Sequence, residues 1–200
     1  MTINSARFIT SMSAYQPFDG CGLPEIAACG KSNVGKSSLI NSLGRSKKLA
    51  KVSSEPGKTR LINAYDFEQK FILIDLPGYG FAKAPIGEKN RWGAMIEGYL
   101  TGSKSLRHVL MLVDIRHSPT EGDQTLVNYL RHYGIGFSVI ATKADKLSRA
   151  QCSRCVPQIC RALAVQPWDV LPYSSETGAG RDLLLDKLSA IIARDSTSGV

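Results

Sequence analysis

Three short runs of apolar residues stand out along the chain, and each of them finishes on a polar side chain. They cover residues 71–75, 109–114 and 137–142. Strands that are apolar at every position are typical of parallel sheets whose two faces are both covered by helices. In such folds the ligand binds in the crevice at the carboxyl ends of the strands. We therefore expect the polar residues that finish these runs to line a ligand-binding crevice.

Between these runs, apolar residues recur with the spacing of amphipathic helices. The predicted helices cover residues 37–44, about 89–101, about 123–132, 148–163 and 180–193. Two more strands are predicted at residues 25–29 and 169–173. Residues 61–67 alternate between apolar and polar side chains, and the short connection at 68–70 makes this strand antiparallel to the next one. The order of strands and helices predicts an α/β fold.

The remaining segments carry no clear periodicity. Residues 1–22 are interpreted as an N-terminal arm that could hold one edge strand, and residues 194–200 as a flexible tail. Residues 45–60 are polar and basic and contain Pro56-Gly57, which predicts a mobile loop. The chain of 200 residues suits one α/β domain with a sizeable core. We expect that domain to span residues 23–193.

A glycine-rich stretch follows the first predicted strand. It runs Gly30-Lys31-Ser32-Asn33-Val34-Gly35-Lys36-Ser37 and has the form G-x-x-x-x-G-K-S, the phosphate-cradling loop of P-loop nucleotidases. The two fixed glycines allow backbone angles that a Cβ would block, so that successive N–H groups can point at an anion. Lys36 supplies a positive charge for the β- and γ-phosphates, and the Ser37 hydroxyl is a suitable Mg²⁺ ligand. The nucleotide phosphates are expected to contact this whole stretch and Ser38.

Asp75-Leu76-Pro77-Gly78 stands at the end of an apolar run and has the form D-x-x-G. Asp75 can hold Mg²⁺ through a water molecule, and the Gly78 N–H can donate to a γ-phosphate. An ordinary Pro-Gly turn is the alternative, but the P-loop upstream makes the nucleotide interpretation the favoured one.

The motif Thr142-Lys143-Ala144-Asp145 predicts which nucleotide base is bound. The Asp145 carboxylate can accept from the N1–H and the 2-amino group of guanine, a pair of donors that adenine lacks. The Lys143 stem can lie along the purine. Ser174-Ser175-Glu176 follows the last strand and is placed for backbone contacts to the guanine carbonyl. A serine pair that caps a helix is the open alternative there.

Composition narrows the class of protein. Hydrophobic residues make up 43% of the chain and charged residues 21%, as in ordinary soluble domains. No apolar run reaches the roughly 20 residues of a membrane span. Because residues 1–17 also lack the apolar core of a secretory signal, we expect a cytoplasmic protein without a membrane span. The five cysteines, an odd number, argue against a disulfide framework.

Cys152-x-x-Cys155, followed by Cys160, is compatible with a metal or redox motif. No second cysteine pair or histidine lies close by in the sequence. Helical thiols that are packed or exposed are therefore favoured, and redox or zinc chemistry stays open.

The net charge of +8 favours a polyanionic partner besides the nucleotide. Basic residues crowd the segments after the P-loop helix and after D-x-x-G: Arg45, Lys47, Lys48, Lys51, Lys58, Arg60, Lys83, Lys89 and Arg91. A solvated face that only aids solubility is the alternative.

These motifs resemble the TRAFAC class of P-loop GTPases and, within it, the EngB family, small bacterial GTPases of ribosome assembly. The specific parts are Pro56-Gly57-Lys58-Thr59-Arg60 and Asp75-Leu76-Pro77-Gly78-Tyr79-Gly80, beside the P-loop and Thr142-Lys143-Ala144-Asp145-Lys146. The likeness covers about residues 23–192 in the family's motif order.

The resemblance implies a three-layer, Ras-like domain whose six-stranded, mostly parallel sheet has one antiparallel strand and helices on both faces. It implies that Thr59 is the second protein ligand of Mg²⁺, with Gly57, Lys58, Arg60 and Leu61 near the nucleotide. GTP or GDP is the implied ligand, and a precursor of the large ribosomal subunit, through its rRNA and ribosomal proteins, is the implied partner. The family is linked to normal cell division and septation. We expect a monomer that does not bind DNA.

Fewer of the residues needed for GTP hydrolysis can be assigned than of those needed for GTP binding. Ras-like GTPases orient the attacking water with a glutamine after D-x-x-G, and here Tyr79 takes that position. With Lys36, Thr59 and Gly78 as the candidate catalytic residues and no arginine finger assigned, slow turnover is predicted, helped by a partner or an ion. Asn33 stands where potassium-stimulated GTPases have theirs, so K⁺ is a candidate; a merely tolerated polar residue is the alternative.

The predicted mechanism is a switch. GTP with Mg²⁺ orders the loop around Thr59 and residues 76–90, and hydrolysis releases both. Two other interpretations stay open: a GTP-dependent scaffold at the division site whose hydrolysis is incidental, and an ATP-dependent kinase or ATPase, against which Asp145 argues.

Overall fold

The computed structural model describes residues 1–17, 22–51, 61–79 and 86–195, and for residues 86–92 and 195 it describes only the backbone. The predictions for Gly57, Lys58, Thr59 and Arg60 lie outside the described residues. So does the predicted tail beyond residue 195.

Strands and helices alternate through the described part of the chain. The strands are β1 (Arg7–Met12), β2 (Glu25–Gly30), β3 (Ile62–Phe67), β4 (Phe71–Asp75), β5 (Leu106–Asp114), β6 (Phe137–Thr142) and β7 (Val170–Pro172). The helices are α1 (Lys36–Leu43), α2 (Ile86–Gly102), α3 (Glu121–His132), α4 (Arg149–Leu163) and α5 (Arg181–Asp195). Every predicted strand and helix is present, with ends that differ from the prediction by a few residues.

The strands form one sheet in the order β1-β3-β4-β2-β5-β6-β7. β3 pairs antiparallel with β1 and β4, and all other neighbours pair in parallel. The single antiparallel strand is confirmed, but the described sheet has seven strands, one more than the six that the resemblance implied. The extra strand is β1, because the N-terminal arm pairs along β3 and Arg7 forms an ion pair of 2.9 Å with Asp66.

Helices cover both faces of the sheet, so the core has two halves. Along β2, Ala27 and Cys29 face the cluster that contains apolar residues of α2, α3 and α4, while Ile26 and Ala28 face the cluster with α1 and α5. This confirms the three-layer arrangement and explains why the parallel strands are apolar at every position. Within the described residues, no helix has the length and apolar character needed to span a membrane.

The turn between β3 and β4 fixes the register of the antiparallel strand. Glu68 and Gln69 have φ of 54° and 53°, a conformation that residues other than glycine adopt rarely. The Lys70 N–H donates to the Phe67 carbonyl at 3.0 Å and closes the tight connection that the sequence predicted. The Glu68 carboxylate accepts from the N–H groups of Asn4 and Ser5, which attaches the arm to this turn.

The parallel strands bring their polar ends to one edge of the sheet. Asp75 of β4 lies beside Ala28 of β2, and Asp114 of β5 lies beside Thr142 of β6. The polar residues that finish the apolar runs therefore lie at one edge of the sheet, as the sequence predicted.

Candidate nucleotide-binding site

The P-loop connects β2 to α1 through a tight turn that two glycines permit. A Cβ at Gly30 would lie 2.7 Å from the Leu112 carbonyl oxygen of the neighbouring strand. Gly35 has φ of 112°, where a side chain would strain the backbone. Asn33, between them, is also left-handed, with φ of 62°. The spacing of the two glycines thus reflects one close approach and one special backbone angle.

The loop delivers the first turn of α1 to the crevice. Gly35 is the residue that caps this helix, and it offers no side-chain hydrogen bond. The first turn of α1 also lacks an acidic residue. The positive end of the helix dipole, with Ser37 and Ser38 in the first turn, is consequently well suited to an anion such as a phosphate.

Lys36 and Asp75 form the charged centre of the site. Lys36 is 9% exposed and Asp75 is 2% exposed, and Lys36 Nζ lies 3.5 Å from Asp75 Oδ1. Burial raises the pKa of Asp75, and the charge of Lys36 opposes that shift. Among the described residues, this long contact with Lys36 is not a well-formed hydrogen bond, and the buried Asp75 Oδ1 accepts no shorter one. An oxygen in this situation fits a water molecule bound to Mg²⁺, with the Ser37 hydroxyl as a direct ligand.

The D-x-x-G segment lies directly against the P-loop. The Ser32 N–H donates to the Tyr79 carbonyl at 3.0 Å, and the Tyr79 N–H donates to the Gly30 carbonyl at 3.2 Å. A Cβ at Gly78 would lie 3.0 Å from Ser32 Oγ and 3.1 Å from its backbone nitrogen. Gly78, which follows the buried Leu76 and Pro77, can reach this position because it has no side chain.

Thr142 and Lys143 connect the base end of the site to the P-loop. Thr142 Oγ1 lies 2.6 Å from the Val34 carbonyl and 3.0 Å from the Val113 carbonyl, and these two acceptors share its single hydroxyl hydrogen. Lys143 Nζ donates to the Asn33 carbonyl at 2.9 Å and pairs with Asp114 at 2.9 Å. These contacts fix the distance between the two ends.

Asp145 is held by two neighbours. Ser174 Oγ donates to Asp145 Oδ1 at 2.8 Å, and Lys146 Nζ lies 3.1 Å from Oδ2. The hydrogen bond from Ser174 is the main cause that lowers the pKa of Asp145. Ser174 Oγ also accepts from the Thr177 N–H at 3.1 Å, so it caps a turn that contains Ser175 and Glu176. The next helix begins only at Arg181, so Ser174 caps this turn rather than the start of that helix.

Comparison with known proteins identifies the family that uses this combination of motifs. A family model described as 50S ribosome-binding GTPase matches residues 25–143. The probable GTP-binding protein EngB of Alkaliphilus metalliredigens is 45% identical over 196 residues, which cover 98% of this chain and 94% of that protein. The chain belongs to the EngB family of GTP-binding proteins. The probable GTP-binding protein EngB of an Exiguobacterium species is 43% identical over 193 residues, 96% of this chain and 98% of its own length.

Solved structures agree with this EngB-family assignment at the level of the fold. A crystal structure of a probable GTP-binding protein engB superposes with a TM-score of 0.70 at 23% identity, covering 85% of this chain and 99% of the other. Aquifex aeolicus Era bound to GDP·AlF4⁻ gives a TM-score of 0.68 at 21% identity, covering 85% of this chain and 57% of Era. At these identities the likeness shows the fold alone.

For this EngB-family member, the structure brings most of the predicted site residues together at one edge of the sheet. The P-loop residues 30–38, the segment 75–78 and the motif 142–145 are joined by the hydrogen bonds above, and Ser174 adjoins Asp145 through one of them. Leu61 is 40% exposed and lies directly before β3, at the strand end next to Asp75. The roles assigned to these residues stay predictions.

Two contacts of the site escaped the sequence analysis, which expected Asp114 to line the crevice but named no partner for it, and which gave Asp123 no role. Asp114 pairs with Lys143 and also with Arg116, whose Nη2 lies 2.7 Å from Oδ2. Burial would raise the pKa of Asp114, but these two cations hold it well below its usual range. Its position at the end of an apolar run was the available signal. The second residue, Asp123, contacts Tyr79, and the Thr120-x-x-Asp123 pattern of a capping box was its signal in the sequence.

The cysteine motif lies on α4. Cys152 is half-buried, and its thiol donates to the Ala144 carbonyl at 3.7 Å. In the part of the chain that the structure describes, no group of three or more histidine, cysteine or acidic residues could hold a metal ion. Packing is the role that these contacts support.

Proposed function

We propose that this chain binds GTP and GDP with Mg²⁺, hydrolyses GTP slowly, and acts as a nucleotide-dependent switch in the assembly of the large ribosomal subunit. The observation that carries the proposal is the direct connection of the base motif to the P-loop through Thr142 and Lys143. This connection supports a site with the start of α1 for the phosphates at one end and the Asp145 carboxylate for the base at the other.

Preference for guanine follows from Asp145. A carboxylate is an acceptor at both oxygens, and guanine presents two parallel donors, N1–H and the 2-amino group. Adenine would leave this charge without donors from the base. Ser174 supports the charged form of Asp145 by donating to it.

The phosphate end supplies the groups for a bound Mg²⁺. Ser37 and Thr59 are proposed as protein ligands, and Asp75 as a contact through water. The metal would neutralise charge on the β- and γ-phosphates. Lys36 adds a fixed positive charge there, and the Gly78 N–H is proposed as a donor to the γ-phosphate.

Slow hydrolysis is proposed because no glutamine follows Gly78. The hydroxyl of Tyr79 donates to Asp123, and the Tyr79 side chain is 6% exposed. Tyr79 is therefore a poor candidate to orient water. We propose that K⁺, held in part by the Asn33 amide oxygen, assists instead. Hydrolysis in potassium should exceed hydrolysis in sodium, and equal rates would remove K⁺ from the proposal.

The ribosomal partner is proposed from the family and from charge. The family model names 50S ribosome binding, and a net charge of +8 suits rRNA. We propose that the protein acts in the cytoplasm as a monomer, through the domain at residues 23–193, and that cell division and septation depend on it through ribosome supply.

Co-sedimentation with ribosomal subunits tests the switch. Binding to the large subunit or its precursor is expected with a non-hydrolysable GTP analogue and not with GDP, at one fixed salt concentration. Fixed salt matters because basic proteins bind RNA non-specifically when salt is low. Charge reversal at Lys83, Lys89 and Arg91 should reduce co-sedimentation without reducing GTP affinity. Equal binding in both nucleotide states would contradict the switch.

A thermal melt separates nucleotide classes before that experiment. GTP and GDP should raise the melting temperature, and ATP at the same concentration should not, because a ligand stabilises the state that it binds. Equal protection by ATP would favour an ATP-dependent enzyme.

A further inference from the structure

Tyr79, the residue directly after D-x-x-G, is held by the start of helix α3. Its hydroxyl donates to Asp123 Oδ1 at 2.5 Å. Its ring lies over the helix start, where a Cβ at Gly122 would be 3.4 Å from Cδ2. Burial and the charge of Asp123 raise the pKa of Tyr79, so the hydroxyl stays protonated and remains a donor. The side chain is thus committed to α3.

Asp123 is itself fixed, because it belongs to the capping box of α3. Its Oδ2 accepts from the Thr120 N–H at 2.6 Å and from Thr120 Oγ1 at 2.7 Å. With Tyr79 on Oδ1, this carboxylate receives three donors, although it is only 5% exposed. A buried carboxylate with its oxygens satisfied in this way is a rigid anchor.

The backbone of Tyr79 carries this anchoring to the P-loop. Its N–H and carbonyl bond to Gly30 and Ser32, and its neighbour Gly78 lies against Ser32. The position of the Gly78 N–H is therefore set on one side by the P-loop and on the other by the phenol of Tyr79. If the phenol lost its acceptor, the hydrogen bond that ties the segment to α3 would be gone, while the backbone bonds to the P-loop would stay.

We propose that Tyr79 and Asp123 are positioning residues that hold the Gly78 N–H in place for the γ-phosphate. The inference rests on the proposed binding of GTP. Because GDP has no γ-phosphate, the pair should matter for GTP and not for GDP. A residue that served only to stabilise the fold would affect both nucleotides alike.

The test compares the dissociation constants of GDP and of a non-hydrolysable GTP analogue for wild type and Tyr79→Phe. Phenylalanine keeps the ring and removes only the hydroxyl. Affinity for the analogue should fall by about tenfold, the effect expected from one hydrogen bond to a charged group. Affinity for GDP should stay within about twofold. For GTP hydrolysis, KM should rise with the loss of the γ-phosphate contact.

Three further variants sharpen the comparison. Asp123→Ala should reproduce the selective loss of affinity for the GTP analogue. Asp123→Asn should retain part of that affinity, because an amide can still bond to Tyr79 and Thr120. Tyr133→Phe, on an exposed ring after the end of the same helix, should change neither constant. If Tyr79→Phe does not fold, the two Asp123 variants carry the same comparison.

Equal losses for GDP and the analogue, or no loss for either, would overturn the inference. Failure of the wild type to bind any guanine nucleotide would instead overturn the proposed function, so the two failures are distinguishable.

Discussion

The phosphate end of the site is formed mainly by backbone, whereas the base end is formed by side chains. At the phosphate end, Gly30 and Gly35 shape a loop that presents the start of α1, with Lys36 and Asp75 buried beside it. At the base end, Asp145 is held by the side chain of Ser174, which is fully buried. Backbone geometry depends on few residue types at fixed spacing, so it serves any nucleotide phosphate. Side-chain geometry can be changed one contact at a time, so it can select one base.

The largest effect is expected for Lys36→Met, which removes the buried charge and keeps most of the stem. Affinity for GTP and GDP should fall together by at least about 100-fold, or about 2.7 kcal/mol, because both carry a β-phosphate. Titration calorimetry with each nucleotide measures this loss. Lys104→Met, at an exposed lysine by the start of β5, is the control and should have no effect. A variant that kept its GDP affinity would show that Lys36 does not serve the phosphates.

Asp145→Asn should change which base is bound rather than whether phosphate is bound. GTP affinity should fall by roughly 30-fold, about 2 kcal/mol, because hydrogen bonds to a charged group are lost. Xanthosine triphosphate should gain affinity, since an amide can donate to the 2-carbonyl group of xanthine. Competition between the two nucleotides measures the change. Retained preference for GTP would show that Asp145 does not read the base, and Asp182→Asn, at an exposed carboxylate in the first turn of α5, serves as the control.

Ser174→Ala should have a smaller effect of the same kind. Asp145 loses its donor at 2.8 Å, so affinity for GTP and GDP should fall by about fivefold, close to 1 kcal/mol. The pKa of Asp145 should rise toward its usual value, because the Ser174 hydrogen bond is the main cause of its lowering. The loss of affinity should therefore grow as the pH falls. An NMR titration of the Asp145 carboxyl measures the change in its pKa. Ser175→Ala should leave this titration unchanged, and an unshifted pKa in Ser174→Ala would contradict the assignment.

The smallest effect is expected outside both ends of the site, at the β3–β4 turn. Lys70 and the N–H groups of Asn4 and Ser5 lower the pKa of Glu68 from 4.5 to about 2. A carboxyl whose pKa is lowered in the folded state stabilises the fold when the pH is above its pKa in the unfolded chain. This stabilisation is lost as the pH falls from about 4.5 toward 2. Glu68→Gln should therefore lower the melting temperature slightly at pH 7, with a difference from wild type that shrinks below pH 4.5. GDP affinity should not change, and a difference that stayed constant with pH would contradict this account.

Much of the candidate site could be predicted because its signals are local. Glycine spacing in the P-loop follows from backbone angles and one close approach, and both are properties of a few adjacent residues. Contacts between distant segments had no such signal: Asp114 meets Lys143, and Tyr79 meets Asp123, only after the strands have aligned. The pattern of the sequence correctly predicted that the polar ends of three runs share one edge of the sheet, but it could not assign their partners.

The same distinction applies to the whole chain. The sequence alone determined the α/β order, the parallel strands and the nucleotide-binding motifs, because a strand buried on both faces must be apolar throughout and a phosphate loop must have its glycines. The sequence allowed one edge strand in the N-terminal arm, but only the tertiary structure decided where it pairs, since β1 is largely exposed and its pairing depends on the free edge of β3. The tertiary structure also decided the anchoring of Tyr79, because a hydrogen bond across 44 positions depends on where α3 packs.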